Sequence, residues 1–428
     1  MSFETTYPDH VAHLQKATEA VLAAQGYEAL VICGGAAQSK NRFDDQSWPL
    51  CPTPTFTHWC PLAEADAFLI VRAGRKPTLV RTVSDDFWET TPPPESEHFW
   101  AQFDVVEVEP GHAGDVLPGG KVAVVTRDPG HAPPGDVNAP ALVGALDAIR
   151  TKKTPYEIEC LAEATRRAVR GHRRTEELFR AGPVSELGIH LAYLDASEQD
   201  DPTAPYKGIV ALGAHAAVLH YVAYERQRVA ADTSLLVDAG AKCNGYGSDI
   251  TRTYARGNGA AKFAALLAKM EQLQQAVVAR VKPGMQYEDL HDETHRLLAE
   301  VLRETGIGKG SANELVDRGV TRVFLPHGLG HSLGVTVHDV GMKLRPPRPE
   351  NKFLRNTSVI EVGQVFTIEP GCYFIDGLLK TLRGGDKERL VDWKLVDELR
   401  PFGGIRIEDN VCVLAGGNRN LTREAYAA

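Results

Sequence analysis

The spacing of hydrophobic positions near the start of the chain predicts one helix followed by several short strands. Between His10 and Gln25, apolar residues recur at helical spacing, which indicates an amphipathic helix. Beyond it, short apolar runs are bounded by turn-forming residues, a pattern typical of β-strands. These runs are EALVIC, AFLIVRAG, PTLVRTV, VVEVE and KVAVVT. The pattern therefore predicts a small α/β domain.

A turn-rich segment ends this region. Residues 127–140 read RDPGHAPPGDVNAP, in which Pro and Gly interrupt regular structure, and strong helical periodicity follows. Thr154 and Pro155 have the residue types of an N-cap and a first helical position. We therefore predict one domain over residues 1–152 and a second over residues 153–428.

The second domain is predicted to repeat a block of two helices followed by strands. The helical segments lie near 155–181, 184–197, 260–281 and 286–305, and apolar runs typical of strands follow each pair. A long basic loop, HDVGMKLRPPRPENKFLRN at 338–356, interrupts the second set of strands, and long ordered loops often carry function. The fold class predicted for the whole chain is α+β.

The stretch LLVDAGAKCNGYGSDITRTYA, at 235–255, has the pattern of a β-hairpin with its turn at Asn244-Gly245. Side chains alternate between faces, so a loop of even length places Asp238 and Asp249 on one face. Two neighbouring carboxylates repel each other unless one binds a proton or both bind a cation. The alternative is that each is an exposed turn or strand-edge aspartate.

Further candidate ligands lie in three later segments. FLPHGLGHSLGVTVHDVG contains His327, His331 and His338 among glycines, which allow close approach of a ligand. QVFTIEPG ends an apolar run on Glu369, and FGGIRIEDNVCVL places Glu408 inside another. Carboxylates are rarely buried in such strands unless they are paired or coordinated.

Each of these residues also has a structural interpretation. His327 could be a core histidine, Glu369 a turn residue, and Glu408 the ion-pair partner of Arg406. As a set, four carboxylates with imidazoles suit Mn²⁺, Co²⁺ or Zn²⁺ and contain too little nitrogen for copper. Four carboxylates match two divalent ions, and a bridged pair of ions can activate water. The residues alone therefore predict a dinuclear hydrolase.

Composition narrows the classes of partner. The chain has 47 Lys and Arg against 56 Asp and Glu and a formal net charge of -9, which makes nucleic acid and anionic membranes poor partners. It has no cationic leader and no run of apolar residues long enough to span a bilayer. The seven cysteines are scattered and form no C-x-x-C pair. We expect a soluble, cytoplasmic protein with reduced thiols.

The order Asp-x10-Asp, PHGLGH, TIEPG and GGIRIEDN resembles that of the pita-bread metallopeptidases. VLHY, VHDVG and YFIDGLL, with the overall length, are similar to the bacterial Xaa-Pro dipeptidases, or prolidases, and their organophosphorus acid anhydrolase relatives. The resemblance implies a creatinase-like α/β domain at 1–152. It also implies a pita-bread catalytic domain at 153–428, with covering helices on a curved, mainly antiparallel sheet.

The resemblance assigns five metal ligands. It makes Asp238 a ligand of one ion, Asp249 and Glu408 bridging ligands, and His331 and Glu369 ligands of the other ion. The ions are expected to be Mn²⁺, with Co²⁺ or Zn²⁺ as alternatives. In this family pattern a metal-bridging hydroxide attacks the carbonyl of the Xaa-Pro bond, and Glu369 transfers a proton to the leaving nitrogen.

The same resemblance assigns further catalytic roles. His338 corresponds to the donor that stabilises the tetrahedral oxyanion, and His220 corresponds to another active-site histidine. Arg406, two residues before Glu408 and therefore on the same face of its strand, is expected to orient the ligand carboxylates.

Substrate contacts and a partner subunit are also implied. Arg355 falls where an arginine is expected to bind the proline carboxylate, the alternative being a solvated loop arginine. Tyr206 and His327 correspond to positions in the substrate pocket. Asp45 corresponds to an aspartate that reaches the active site of a neighbouring subunit in a homodimer and meets the substrate amine.

Two alternatives remain at this point. An aminopeptidase P-like enzyme, which removes the residue before proline from longer peptides, would share the five ligands. A non-catalytic pita-bread protein would bind peptides without metal. Promiscuous organophosphate hydrolysis follows from resemblance alone.

Overall fold

The chain divides into two compact units. The computed structural model describes residues 2–43, 45–83, 93–230 and 232–428. The first unit comprises Met1–Cys160 and Cys243–Tyr246, and the second comprises Leu161–Lys242 and Gly247–Ala428. This division falls inside a helix, so the domain boundary between residues 152 and 153 stays a prediction.

The first unit is built on a six-stranded mixed sheet. Its strands are β1 (Ala29–Cys33), β2 (Phe68–Arg72), β3 (Thr78–Thr82), β4 (Asp104–Val108), β5 (Val122–Val125) and β6 (Asp136–Val137), and its helices are α1 (Phe3–Gln25), α2 (Pro54–Trp59) and α3 (Pro140–Ile149). The strand order is β4-β3-β2-β1-β5-β6, and β2 runs antiparallel to both of its neighbours. Each of the five predicted apolar runs overlaps one of these strands, and the run VVEVE begins one residue after the start of β4.

Alternate residues of these strands form one core of the unit. Val31, Val80 and Val124 are completely or almost completely buried on the same cluster as Ile70. Burying such a side chain contributes roughly 1.5–3 kcal/mol relative to exposure. Helix α1 begins at Phe3, earlier than the predicted His10. The sequence pattern indicated the later start because Pro8, which lies inside the helix, interrupts that pattern.

The second unit combines long helices with short antiparallel sheets. Its helices are α4 (Pro155–Ala181), which contains the division between the units, α5 (Glu186–Ala196), α6 (Ala261–Arg280), α7 (Tyr287–Glu304), α8 (Ala312–Asp317), α9 (Val320–Phe324), α10 (Asp376–Leu379), α11 (Trp393–Leu399) and α12 (Leu421–Ala427). Its strands are β7 (Ile209–Leu212), β8 (Thr233–Asp238), β9 (Lys242–Cys243), β10 (Tyr246–Gly247), β11 (Thr251–Arg256), β12 (Val365–Ile368), β13 (Gly371–Tyr373), β14 (Gly404–Arg406), β15 (Asp409–Leu414) and β16 (Gly417–Asn420). The turn between β9 and β10 belongs to the first unit.

The strands of the second unit pair in the orders β11-β8-β7, β12-β15-β16 and β13-β14. The pairs of these three sheets are antiparallel. A bridge between Thr251 and Glu408 links β11 to the segment that enters β15. This bridge places the hairpin that carries Asp238 and Asp249 next to the segment that carries Glu408.

Helices α6 and α7 cover part of this unit through their apolar faces. Met270 of α6 and Leu298 and Leu302 of α7 are fully buried in one core cluster with Phe366 of β12. Their outer faces carry charged residues, as expected for amphipathic helices. None of the described helices combines the length and hydropathy that a membrane-spanning helix needs.

The register of the β8–β11 hairpin is set by its turn. Asn244 and Gly245 have φ angles of 48° and 85°, positive values that a two-residue hairpin turn of type I′ requires. Asp238 pairs with Thr251, so Asp249 lies one alternate position closer to the turn. The even loop length therefore places the two aspartates diagonally on the same face.

Candidate metal centre

The two hairpin aspartates contact the same tyrosine. The Tyr206 hydroxyl lies 2.8 Å from Asp238 Oδ1 and also contacts Asp249 Oδ1. A phenol has a single proton, so it can donate to one of these oxygens at a time. The second carboxylate therefore needs a proton of its own or a nearby cation.

The glycine-rich loop runs beside β12 and delivers a histidine to these aspartates. The Thr367 amide donates to the His331 carbonyl at 2.9 Å, and the Glu369 amide donates to the Leu329 carbonyl at 2.8 Å. A Cβ on Gly330 would lie 2.1 Å from the Thr367 carbonyl oxygen. Glycine is therefore required there for His331 and Glu369 to lie next to each other.

The hydrogen bond of one ring nitrogen defines the tautomer of His331. Nδ1 lies 3.1 Å from the Ser332 carbonyl oxygen, which can only accept, so Nδ1 carries the proton of the neutral ring. Nε2 is then free to act as a ligand. It lies 3.3 Å from Asp249 Oδ2, 3.7 Å from Glu369 Oε1 and 3.9 Å from Glu408 Oε1.

Glu408 has one satisfied and one unsatisfied oxygen. Thr251 Oγ1 donates to Oε2 at 2.7 Å, whereas the buried Oε1 has no hydrogen-bond partner among the described residues. Asp249, His331 and Glu408 each offer one ligand atom, and these atoms lie within 4.8 Å of one another. A buried acceptor without a donor is costly, and a cation at this point would satisfy it.

Arg406 is the positively charged residue that meets Asp238. Its Nη2 donates to Asp238 Oδ2 at 2.6 Å, and its Nε donates to Thr251 Oγ1 at 3.1 Å. Although burial opposes ionisation, the guanidinium lowers the pKa of the Asp238 carboxyl. The contact links Arg406 to Asp238, and the orienting role of Arg406 stays a prediction.

The other three carboxyl groups, those of Asp249, Glu408 and Glu369, have raised pKa values and ionise less readily than usual. Burial and then the charge of Asp238 raise the pKa of Asp249, and burial and then the charge of Asp249 raise the pKa of Glu408. Burial raises the pKa of Glu369 to about 7. Carboxylates that resist ionisation in the protein alone are suited to bind cations. The donor set therefore fits divalent metal ions.

A hydrogen-bonded chain extends from Arg406 away from the carboxylates. Arg406 Nη1 donates to the Tyr373 hydroxyl at 2.9 Å, and this hydroxyl lies 2.9 Å from His327 Nε2. His327 Nδ1 lies 2.7 Å from the Gly328 carbonyl oxygen and therefore carries the ring proton. Tyr373 consequently donates to His327 and fixes its ring.

Three further predicted residues, His338, His220 and Arg355, are exposed. The His338 ring lies 4.4 Å from the His331 ring, centre to centre. Burial, and then the charges of His331 and Arg355, lower the pKa of His338 to about 3. His220 lies in an exposed turn, and its charge contributes to lowering the pKa values of both His327 and His338.

Asp45 lies on an exposed loop of the first unit.

The first unit also contains a buried His10–His58–Glu157 cluster that the sequence did not suggest. His10 contacts Thr154 Oγ1 and the His58 carbonyl, each at 2.8 Å, and Glu157 accepts from the Thr154 amide at 2.8 Å. This cluster includes the predicted helix start at Thr154, which is confirmed.

Several supporting residues were missed from sequence. Thr251 lies two residues after Asp249 and therefore on its face, a signal that period-two alternation could have supplied. Asp409, next to Glu408, points to the other face, where it lies 2.7 Å from Arg252 and 2.8 Å from Arg423. Tyr373 had no local signal, because its partners come from distant segments.

Comparisons with known proteins show the family to which the chain belongs. Residues 159–415 match the family model described as metallopeptidase family M24. Residues 5–142 match the model of the Xaa-Pro dipeptidase N-terminal domain. The chain belongs to metallopeptidase family M24. It is therefore a metallopeptidase that uses divalent metal, and the prediction of an enzyme is confirmed.

Full-length relatives refine this placement. The chain is 44% identical over 421 residues to an Xaa-Pro dipeptidase of Marinobacter nauticus, with 97% of each protein covered. It is 41% identical over 443 residues to an Xaa-Pro dipeptidase of Aeromonas hydrophila, with 99% of each covered. The predicted resemblance to bacterial prolidases is confirmed.

Solved structures support the fold. Aminopeptidase PepP of Pseudomonas aeruginosa is similar with a TM-score of 0.73 and 22% identity, covering 97% of this chain and 95% of that one. Proline aminopeptidase P II of Yersinia pestis has the same TM-score and identity, with 97% and 96% coverage. The predicted α+β class, with an N-terminal domain before a pita-bread catalytic domain, is confirmed.

Proposed function

We propose that this metallopeptidase hydrolyses the Xaa-Pro bond of dipeptides whose second residue is proline. The observation that carries the proposal is the convergence of Asp249, His331 and Glu408 on one buried point. The near full-length similarity to Xaa-Pro dipeptidases supports the choice of substrate.

Five residues are proposed to hold two divalent ions. Four carboxylates overcharge one divalent ion and match two, and their oxygens suit Mn²⁺, with Co²⁺ or Zn²⁺ as alternatives. The proposed ligands are Asp238, Asp249, His331, Glu369 and Glu408. When bound, such ions acidify a water molecule and polarise the carbonyl oxygen of the scissile bond.

Glu369 is proposed to move the proton. Its carboxylate is positioned beside the other proposed ligands, with Oε1 3.7 Å from His331 Nε2, and a carboxylate in such a position can accept and return a proton. We assign it the removal of a proton from the attacking water and the delivery of that proton to the proline nitrogen. This delivery makes the nitrogen a neutral leaving group.

His338 is proposed to donate to the developing oxyanion. Its low pKa, about 3, keeps the ring neutral with one N–H available at working pH, and a preorganised donor stabilises negative charge in the transition state. His220 is proposed to assist from the neighbouring turn. Arg406, held between Asp238 and Tyr373, orients the ligand carboxylates.

Substrate recognition is proposed to depend on its two ends. Arg355 binds the proline carboxylate, because a guanidinium offers two parallel donors to it. Tyr206 and His327 line the pocket. Asp45 of a second subunit in a homodimer meets the substrate amine. We also propose that the protein is cytoplasmic and that it hydrolyses organophosphates as a side activity.

An aminopeptidase P-like activity is the alternative that would share the five proposed ligands, and the near full-length similarity to Xaa-Pro dipeptidases does not favour it. Substrate length separates the two. The metal-loaded enzyme is incubated with Gly-Pro and, separately, with Gly-Pro-Ala, and free glycine and free proline are measured. We expect rapid cleavage of Gly-Pro and little cleavage of the tripeptide. Efficient release of glycine from the tripeptide would instead establish the aminopeptidase.

A further inference from the structure

The long basic loop at 338–356, which contains Arg355, binds to helix α7 through one buried carboxylate, that of Glu288. Glu288 is the second residue of α7, and its side chain is 0% exposed. The loop residues that meet it, Arg345 and Arg348, have side chains that are 47% and 39% exposed. The buried partner is therefore on the helix, and the loop residues close over it.

Three loop residues converge on the two oxygens of Glu288. The Arg348 amide donates to Oε1 at 2.6 Å, and Asn351 Nδ2 donates to the same oxygen at 3.1 Å. Arg345 Nη2 lies 2.8 Å from Oε2. Although burial opposes ionisation, these donors lower the pKa of Glu288 to about 2, so it is charged at any working pH.

Neighbouring residues extend the same attachment. Asn351 Nδ2 also lies 3.0 Å from Asp292 Oδ1, and Asn351 Oδ1 accepts from Arg322 Nη1 at 2.7 Å. Asn351 is itself buried. The backbone amide of Arg348 and the side chain of Asn351 therefore both attach the loop to α7.

The next turn of the loop lies directly on the glycine-rich segment of the site. The Leu354 amide donates to the Asn351 carbonyl at 2.8 Å. A Cβ on Gly328 would lie 3.0 Å from Leu354 Cα and 3.1 Å from the Phe353 carbonyl oxygen. Arg355 follows immediately, so its backbone position is fixed between Asn351 and Gly328.

Arg355 is the residue of this loop that the proposed function assigns to the substrate carboxylate. It is exposed and has no ion pair or hydrogen bond among the described residues. Its charge is one of the causes that lower the pKa of His338, after burial and His331. An unpaired guanidinium near the site is available to a substrate carboxylate.

We propose that Glu288 is a positioning residue for Arg355 and thereby sets the affinity for the substrate's C-terminal carboxylate. The inference rests on the proposed function, because it takes Arg355 as the carboxylate-binding residue. Glu288 acts through the loop and does not touch substrate. Its loss allows the loop to sample other conformations and lowers the fraction in which Arg355 is aligned.

The test compares Glu288→Gln with Glu300→Gln, an exposed carboxylate on the same helix that pairs with Arg303. Kinetics are measured with Gly-Pro and with Gly-prolinamide, which lacks the carboxylate. We expect Glu288→Gln to raise KM for Gly-Pro about tenfold with kcat nearly unchanged. The same variant leaves Gly-prolinamide kinetics unchanged, and Glu300→Gln changes neither substrate.

A second variant and a second readout keep the inference separable from folding and from the proposed function. Arg345→Gln removes a half-exposed loop partner and should give a smaller change in the same direction. Backbone hydrogen exchange over 342–356 should quicken in Glu288→Gln and not in Glu300→Gln. In an Arg355→Ala background, Glu288→Gln should add no further effect on KM.

Two results would overturn the inference. One is an equal change for Gly-Pro and Gly-prolinamide, and the other is unchanged hydrogen exchange in the loop of Glu288→Gln. Failure of the wild-type enzyme to cleave Gly-Pro would instead contradict the proposed function, and the hydrogen-exchange comparison would still decide whether Glu288 holds the loop.

Discussion

Two buried clusters of histidine and carboxylate have similar composition and different chemistry. The first cluster is His10, His58 and Glu157, and the second is Asp249, His331 and Glu408; in each, three ligand atoms lie within 4.8 Å of one another. In the first cluster both His10 nitrogens have partners, and His58 Nε2 lies 3.3 Å from Glu157 Oε1. The single carboxylate of this cluster, Glu157, therefore has the His58 ring beside one oxygen and accepts from the Thr154 amide with the other.

The second cluster lacks that compensation. Glu408 Oε1 has no hydrogen-bond partner among the described residues, and the pKa values of Asp249 and Glu408 are raised by burial and by neighbouring negative charge. In the first cluster His58 lowers the pKa of Glu157 against the effect of burial. Hydrogen-bond saturation does not separate the clusters, because the buried His58 Nε2 also has no hydrogen-bond partner among the described residues. The comparison teaches that charge balance, more than residue type, distinguishes the candidate metal centre from the first cluster.

The largest expected effect is loss of catalysis when the second cluster is changed. Asp249→Ala should reduce kcat/KM for Gly-Pro by about a thousandfold or more, because it removes a proposed ligand of both ions. Metal content of the purified variant should fall in parallel, as measured by elemental analysis. Activity close to that of the wild type would show that Asp249 is not a required ligand.

The first cluster should respond in stability and not in catalysis. Glu157→Gln leaves buried polar groups without their charged partner and should lower the free energy of unfolding by about 3 kcal/mol. The folded variant should keep its metal and its kcat. The matched control is Glu177→Gln, whose side chain is 68% exposed on the same helix and which should unfold like the wild type. A loss of metal in Glu157→Gln would reverse the comparison.

A smaller effect should follow from the neighbour of the unsatisfied carboxylate. Thr251→Val removes the donor to Glu408 Oε2 and should weaken metal affinity about tenfold to a hundredfold. Thr253→Val is the control, because the Thr253 hydroxyl bonds only the Arg406 backbone within the part of the chain that the structure describes. Isothermal titration of metal into both variants checks the difference; equal affinities would assign Thr251 a purely structural role.

The smallest expected effect is a pH dependence that the two clusters do not share. Raised pKa values in the second cluster and in the neighbouring Glu369 mean that protons compete with metal. Metal affinity should therefore weaken as the pH falls from about 8 to 6 through the pKa of Glu369, about 7. Glu157, whose pKa is lowered, contributes stability above its unfolded value of 4.5 and loses it only on stronger acidification. Titrations at several pH values test the first statement, and a pH-independent affinity contradicts it.

Local patterns predicted the parts of the site that depend on local geometry. The even loop length of the hairpin placed Asp238 and Asp249 on one face, and the Thr-Pro-x-Glu sequence predicted the start of α4. The start of α1 was wrong because Pro8 interrupts the pattern of a helix that tertiary packing nevertheless extends, with Tyr7 completely buried.

Contacts between distant segments could not be predicted in the same way. Tyr373 joins Arg406 to His327, and Glu288 joins α7 to the basic loop, yet neither has a sequence signature. Their roles come from side chains that meet only after the sheets and helices pack. The alternation of strand faces would have identified Thr251, because its position relative to Asp249 is local.

Metal stoichiometry tests the central claim most directly. The wild-type protein, Glu157→Gln and Asp249→Ala are prepared without chelator, loaded with Mn²⁺, and analysed for ions bound per chain after removal of free metal. We predict two ions for the wild type, two for Glu157→Gln, and fewer than one for Asp249→Ala. Two ions retained by Asp249→Ala, with loss of metal in Glu157→Gln, would contradict the assignment of the metal centre to the second cluster.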